Sequence, residues 1–300
     1  MRALQAVAGA TGAGIGNFHP DAFERYGLIR MAIQHSGRPS AVHGRLLLML
    51  ACLVLHVGTA GAAESERPAP WAFSTLYSHS ALSGGRGNWE QIDNDLLYTA
   101  SPRWIFGGSV DVRRRYSASD TLYGASVSFL PNAAWELHVS AKAAPSAEFL
   151  PRRSYESGVQ WRASQRWSLL LDARRFEFPG GSLRERRPGV IFWFDEATAL
   201  TARYTDGRAF GSTSYHGYSL RLDHDFDAGQ RLSIGYAHGV DPEQNPSVVP
   251  GVLLSESDLL TAYYRFPLRA RLNLIVGAEY EDRHHAYTRA AASLGLSKRF

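Results

Sequence analysis

The stretch RLNLIVGAEY, residues 271–280, alternates along its length, Ile275 apart. Leu272, Leu274, Val276, Ala278 and Tyr280 take one side of an extended chain, and Arg271, Asn273 and Glu279 take the other. Successive strand side chains point to opposite faces, so this is a strand with one apolar and one polar face. On this reading Gly277 lies on the polar face, where a serine should be accommodated. Five earlier segments open in the same way: RWIFGGSVDV at Trp104, AWELHVSAKA at Trp135, RWSLLLDARR at Trp167, ALTARYTDGR at Leu200 and RLSIGYAHGV at Leu232. From Trp104 to Leu272 the steps are 31, 32, 33, 32 and 40 residues. A period near 32 accommodates a strand, a loop, a returning strand and a tight turn. Serial amphipathic hairpins that end on Phe300, with Leu294 and Leu296 on one face of the final strand, indicate an antiparallel transmembrane β-barrel of the bacterial outer membrane.

Period-two alternation bounded by Gly, Pro, Asn and Asp gives fourteen strands. They lie near 71–79, 88–98, 103–114, 121–130, 134–143, 154–163, 166–177, 187–195, 198–206, 214–226, 230–240, 256–266, 270–281 and 287–300. Twelve result if the first hairpin stands outside the wall, since Asn88 to Tyr98 alternates poorly. Connections after even-numbered strands are short. Those after odd-numbered strands read as longer and more polar, as in 144–153, 178–186 and 241–255. Short periplasmic turns and longer extracellular loops are the asymmetry of such barrels, and an even count returns both termini to the periplasm. The outward set also includes Trp104, Phe106, Val110 and Val112; Trp135, Leu137 and Val139; and Val190, Phe192 and Phe194. Their alternates carry charge: Asp111, Arg113 and Arg115; Glu136, His138 and Lys142; and Arg187. A soluble β-sandwich alternates too. It does not explain hairpins repeated over more than 200 residues, or tryptophans at strand ends, where a membrane interface attracts them.

Residues 1–63 read as an N-terminal extension plus signal peptide, leaving 64–300 as the barrel domain. Arg38, His43 and Arg45 precede the apolar run Leu46 to Val57, and small residues follow to Ala63. That order is a secretory signal, and 12 apolar residues fall short of the roughly 20 needed for a spanning helix. Met31 is read as the true start, which brings the peptide to 33 residues, and cleavage is expected after Ala63. Cys52 lies inside the apolar run, so the exported chain holds no cysteine and offers neither disulfides nor thiolate metal sites.

The net charge of +4 is concentrated at the front. Residues 64–300 carry 27 Arg and Lys against 26 Asp and Glu, which argues against a nucleic-acid partner. The 14 Tyr, 14 Phe and 7 Trp cluster near strand ends, as interfacial girdles require.

Several further features carry a resemblance. These are Trp71-Ala-Phe-Ser with Trp89 after a glycine-rich loop, the Trp104 strand leading into Val110-Asp-Val-Arg-Arg-Arg-Tyr116, the Phe129-Leu-Pro-Asn132 turn, and Gly211 to Leu220. Through them residues 70–300 resemble the YaiO family of outer-membrane β-barrels. The resemblance implies the fold, an outer-membrane location and an association with surface-polysaccharide genes. It implies no catalytic residue.

No catalytic, cofactor-binding or metal-binding residue is assigned from the sequence. The rival reading is an outer-membrane enzyme acting on lipid or glycan from the lumen. His138 with Glu136 and the inward Ser219 were the groups it would use, but no G-x-S-x-G element accompanies them. His284-His285 reads as solvated loop, because neighbouring strand residues face opposite ways. Arg113, Arg114 and Arg115 read as a strand end meeting headgroups or lipopolysaccharide phosphate. The preferred reading is a non-enzymatic pore or scaffold, possessing no cofactor. Its expected partners are outer-membrane lipid and lipopolysaccharide, polysaccharide, and the β-barrel assembly machinery, which would read the strand ending in Phe300.

Overall fold

A computed structural model describes residues 70–84, 88–115, 117–210, 213–226, 229–244, 252–284 and 286–300. The expected extension and signal peptide, and His285, lie outside them. The structure is a closed antiparallel barrel of fourteen strands, each paired with its neighbours in sequence, with β1 closing on β14. The strands are β1 (Trp71–Leu82), β2 (Asn88–Ser101), β3 (Trp104–Arg115), β4 (Ala118–Asn132), β5 (Trp135–Ala143), β6 (Arg153–Arg162) and β7 (Trp167–Phe178). They continue as β8 (Gly181–Trp193), β9 (Thr198–Ala209), β10 (Thr213–Asp225), β11 (Arg231–Gln244), β12 (Val252–Arg269), β13 (Leu272–Arg283) and β14 (Tyr287–Arg299).

Closure settles the strand count at fourteen. The first hairpin is part of the wall, and Trp71 and Phe300 exchange both backbone hydrogen bonds at 3.0 Å. Strand β2 alternates poorly because Asn94 faces outward, where its amide accepts from Thr75 Oγ1 and donates to the Val110 carbonyl, both at 3.0 Å.

The inside–outside register follows the alternation. On β13, Val276 and Tyr280 are exposed while Ile275, Glu279, Glu281 and Arg283 are buried. At the end where β1 begins and β14 ends, outward-facing aromatics meet as cross-strand pairs: Trp71–Tyr98 and Trp104–Phe129 at 4.4 Å, Trp167–Phe192 at 4.6 Å and Trp135–Trp161 at 5.7 Å. Toward the opposite rim, Tyr123, Tyr155, Tyr204, Tyr218 and Tyr280 are exposed. Between the two rings lie exposed leucines and valines, such as Leu137, Leu169, Leu220 and Leu294. Two aromatic girdles around an apolar band are what a membrane-spanning wall requires.

The loop lengths differ from expectation in two places. Strand β8 begins at Gly181 rather than near 187, so only Pro179 and Gly180 separate it from β7. Gly181 has φ +144°, a conformation that favours glycine. The early part of β8 was hidden because it is charged on both faces, with Glu185 and Arg187 inward and Arg184 and Arg186 outward. Much of 241–255 is also strand, since β11 and β12 pair out to Gln244 and Val252.

Candidate functional site: the charged lumen

Each inward position is set by its strand's register, and the lumen they build is dense with ion pairs. Glu281 anchors the cluster at β13 and β14. One of its oxygens accepts from Arg283 Nε at 2.9 Å and the other from Arg289 Nε at 2.7 Å. Arg289 also reaches Glu279 at 3.2 Å, and Glu279 accepts from the Tyr263 hydroxyl. A second group joins Lys142 to Asp111 at 2.5 Å. A third joins Arg174 to Glu156 and Arg203 to Asp172, both at 3.3 Å. A fourth holds Asp223 between Arg221 at 2.8 Å and Arg231 at 3.5 Å. In these four groups the partners are residues of the same strand or of strands nearby on the wall. Many of them are shut off from solvent: Asp111 is 0% exposed, Arg283 1% and Arg289 2%. Groups so deeply covered persist as charges only where opposite charges and hydrogen bonds surround them.

The rim opposite the termini is narrowed by the connection between β5 and β6. Phe149, Leu150 and Ala144 are buried and pack against Leu122, an inward residue of β4. The tether is Asp120, whose carboxylate accepts the backbone N–H groups of Glu148 at 2.9 Å, Phe149 at 3.0 Å and Leu150 at 2.9 Å. Beside the loop, the Arg115 guanidinium lies over both Phe149 and Trp89 at 5.3 and 5.2 Å. Arg289 covers Trp89 at 5.4 Å, and Trp89 meets Tyr287 edge-on at 5.8 Å. This chain of arginines and rings extends from the loop to β14. The two outer residues of the Arg113–Arg115 run therefore do not meet headgroups, contrary to the sequence reading. Arg113 and Arg115 are buried on the lumen side, and only Arg114 faces out, paired with Glu90 at 3.0 Å.

The groups considered for catalysis are not assembled into a nucleophile and base. His138 lies on β5 and Ser219 on β10, five strands apart in the wall. His138 Nε2 approaches Asp172 at 3.6 Å and Glu156 at 3.9 Å, on the two strands that follow its own. His138, Glu156 and Asp172 form the one cluster of metal-ligating type among the described residues. Arg174 and Arg203 already occupy its carboxylates, which lowers its attraction for a cation. Gly158 makes the cluster: it is the direct partner of both His138 and Asp172, and a Cβ there would lie 2.3 Å from His138 and 2.2 Å from Asp172. Only the pairing register around Gly158 could have indicated this row from sequence.

His284 sits in the turn after β13, where its Nε2 meets Asp258 at 2.8 Å. The hydrogen bond to Asp258 holds the His284 pKa above the ordinary imidazole value, helped by the charges of Asp258, Asp282 and Glu256. This pairing should stabilise the barrel in full below the ordinary imidazole pKa and fade as pH rises through the shifted one. An NMR titration of the His284 imidazole should show the raised value, and Asp258→Asn should bring it down. An unchanged titration in that variant would remove Asp258 as the cause.

No protein-family model matches the chain, and no curated protein is significantly similar to it. Solved structures are similar in fold. The CymD monoaromatic hydrocarbon channel superposes with a TM-score of 0.54 at 9% identity, over 78% of this chain and 90% of that one. The Ralstonia pickettii toluene transporter TbuX gives 0.53 at 9% identity, over 78% and 92%. A Pseudomonas aeruginosa FadL homologue gives 0.50 at 12% identity, over 77% and 90%. The fold is that of an outer-membrane β-barrel. At such identities the likeness extends to architecture and carries no ligand with it.

Proposed function

We propose that this protein is a non-enzymatic channel of the bacterial outer membrane, passing small polar or charged solutes through a narrow lumen. The rim that carries both termini is the periplasmic one, and the 144–152 loop stands at the extracellular mouth. The observation that carries the reading is that loop, folded inward and held by the buried Asp120 carboxylate. It narrows a wall whose interior is charged and whose exterior is apolar. The ion-pair lining disfavours apolar cargo, so the hydrocarbon named for the similar channels is not proposed as a substrate here. Association with surface-polysaccharide export rests on the family resemblance alone, and no residue of the lumen carries it. The enzyme alternative is weakened by the separation of His138 from Ser219. The terminal strand, with Phe300 exposed beside Trp71, is proposed as the segment read by the assembly machinery.

Planar-bilayer recording of the full chain tests the channel. Wild type should give small, steady ohmic steps, and Asp120→Ala should raise the step size several-fold by freeing the loop's three N–H groups from their common acceptor. Steps of equal size in both proteins would show that the loop does not constrict the path. Silence in both would make the barrel a closed scaffold.

A further inference from the structure

On the outer wall, β6 to β9 present cations where the rest of the band is apolar. Tyr155, Arg175, Arg184 and Arg208 stand directly opposite one another on successive strands. One register step toward the periplasm, Ser157, Ala173, Arg186 and Asp206 form a parallel row. Arg153 is exposed at the extracellular end of β6. Like charges directly opposed across a sheet destabilise it. Here three arginines share one row, and among the described residues no side-chain hydrogen bond or ion pair engages Arg184, Arg186 or Arg208. Of the carboxylates nearby, Glu177 meets Arg175 at 2.9 Å, and Asp206, directly opposite Arg186, is a single charge beside the row.

The same cations border a groove of about 810 Å³ on the outer face. Its floor is made of small side chains in two adjacent rows: Ala125 pairs with Ala141 beside Tyr155, and Ser157 pairs with Ala173 in the row that Val127 and Val139 begin. The cations also lie deep. On β3 ten residues separate the girdle residue Trp104 from the first outward charge, Arg114, but on β8 only six separate Phe192 from Arg186. At a rise of about 3.3 Å per residue and a tilt of about 40°, the β8 charge enters roughly 10 Å deeper into the extracellular half of the wall.

We infer that this groove binds the phosphorylated lipid A end of lipopolysaccharide. Guanidinium groups hold phosphate in bidentate fashion. The Arg175–Arg184–Arg208 row spans two strand spacings, about 10 Å, and Arg153 and Arg186 flank it. That is more guanidinium than a single phosphate engages, and it suits two phosphates on one rigid headgroup. The floor of small residues, four strands wide, receives several acyl chains side by side. Binding would also remove the repulsion within the arginine row. The inference rests on the outer-membrane reading but not on conduction. A barrel that bound lipid A and passed no current would defeat the channel and leave this site standing.

Native mass spectrometry of the full chain in detergent tests it, with bisphosphorylated lipid A and phosphatidylglycerol as probes. Wild type should retain one lipid A in preference to phosphatidylglycerol. Arg184→Gln with Arg208→Gln should weaken lipid A binding about tenfold, as loss of charged phosphate contacts does. Arg114→Gln, on the outer face of β3, should leave it unchanged. Heat-modifiable gel mobility would verify that each variant is folded. Equal binding by the double variant, or phosphatidylglycerol held as tightly as lipid A, would overturn the site. So would a wild-type dimer that the double variant loses, because the occupant would then be a second copy of this chain.

Discussion

Val276→Arg is expected to destabilise the inserted barrel by about 2–4 kcal/mol, the penalty for a cation facing lipid near the midplane. Val276 is 37% exposed and lies midway along the outward series from Leu272 to Tyr280. Its direct partners on the neighbouring strands, Tyr264 and Leu294, are apolar outward residues as well. An arginine there cannot reach a lumen carboxylate, because a side chain on the other face of the strand points away from it. Val276→Leu preserves the apolar surface and should fold like wild type. Urea titration of both variants in lipid vesicles, read by heat-modifiable mobility, measures the difference. Equal stability would mean that β13 does not face lipid at this position.

The neighbouring Gly277 shows where alternation stops being sufficient. The sequence assigns it to the lumen side and predicts room for serine; the side is right and the room is absent. A Cβ at Gly277 would lie 2.3 Å from Cε1 of Tyr263, whose hydroxyl is engaged by Glu279. Alternation reports which way a residue points. It carries no information about what the opposite strand lays over it.

The same division runs through the molecule. All fourteen strands were legible, because an apolar face toward lipid and a polar face inward leave a period of two in every strand. Strand β8 was read short because Arg184 and Arg186 put charge on the lipid side, and that departure is what marks the proposed lipid site. Strand β2 alternated poorly because Asn94 is satisfied locally by Thr75 and Val110. The inward fold of 144–152 was not legible: Phe149 and Leu150 stand in a segment that reads as a surface loop, and their acceptor, Asp120, lies 28 to 30 residues away. The row His138, Gly158 and Asp172 depends on the register of two hairpins, which composition does not fix.

Glu281→Ala is expected to have the largest effect, about 3–5 kcal/mol, because it removes one acceptor from two buried cations. The Glu281 side chain is 3% exposed, and those of Arg283 and Arg289 are 0% and 2% exposed. Arg289 would keep Glu279, and Arg283 would keep the Ser255 hydroxyl at 2.9 Å, but neither replaces the shared carboxylate. Replacing Glu281 together with Arg283 by leucine and methionine should destabilise less than Glu281→Ala alone, since Arg289 keeps Glu279 and no arginine of the cluster is then left buried without a carboxylate. Urea unfolding of the three proteins in one detergent checks the order. The size of the single-variant loss also bears on conduction. Water that reaches this cluster would screen both arginines and reduce the loss to the level of an exposed pair, about 1 kcal/mol or less. A loss near the upper value means that water does not reach the β13–β14 cluster and that this part of the lumen is dry.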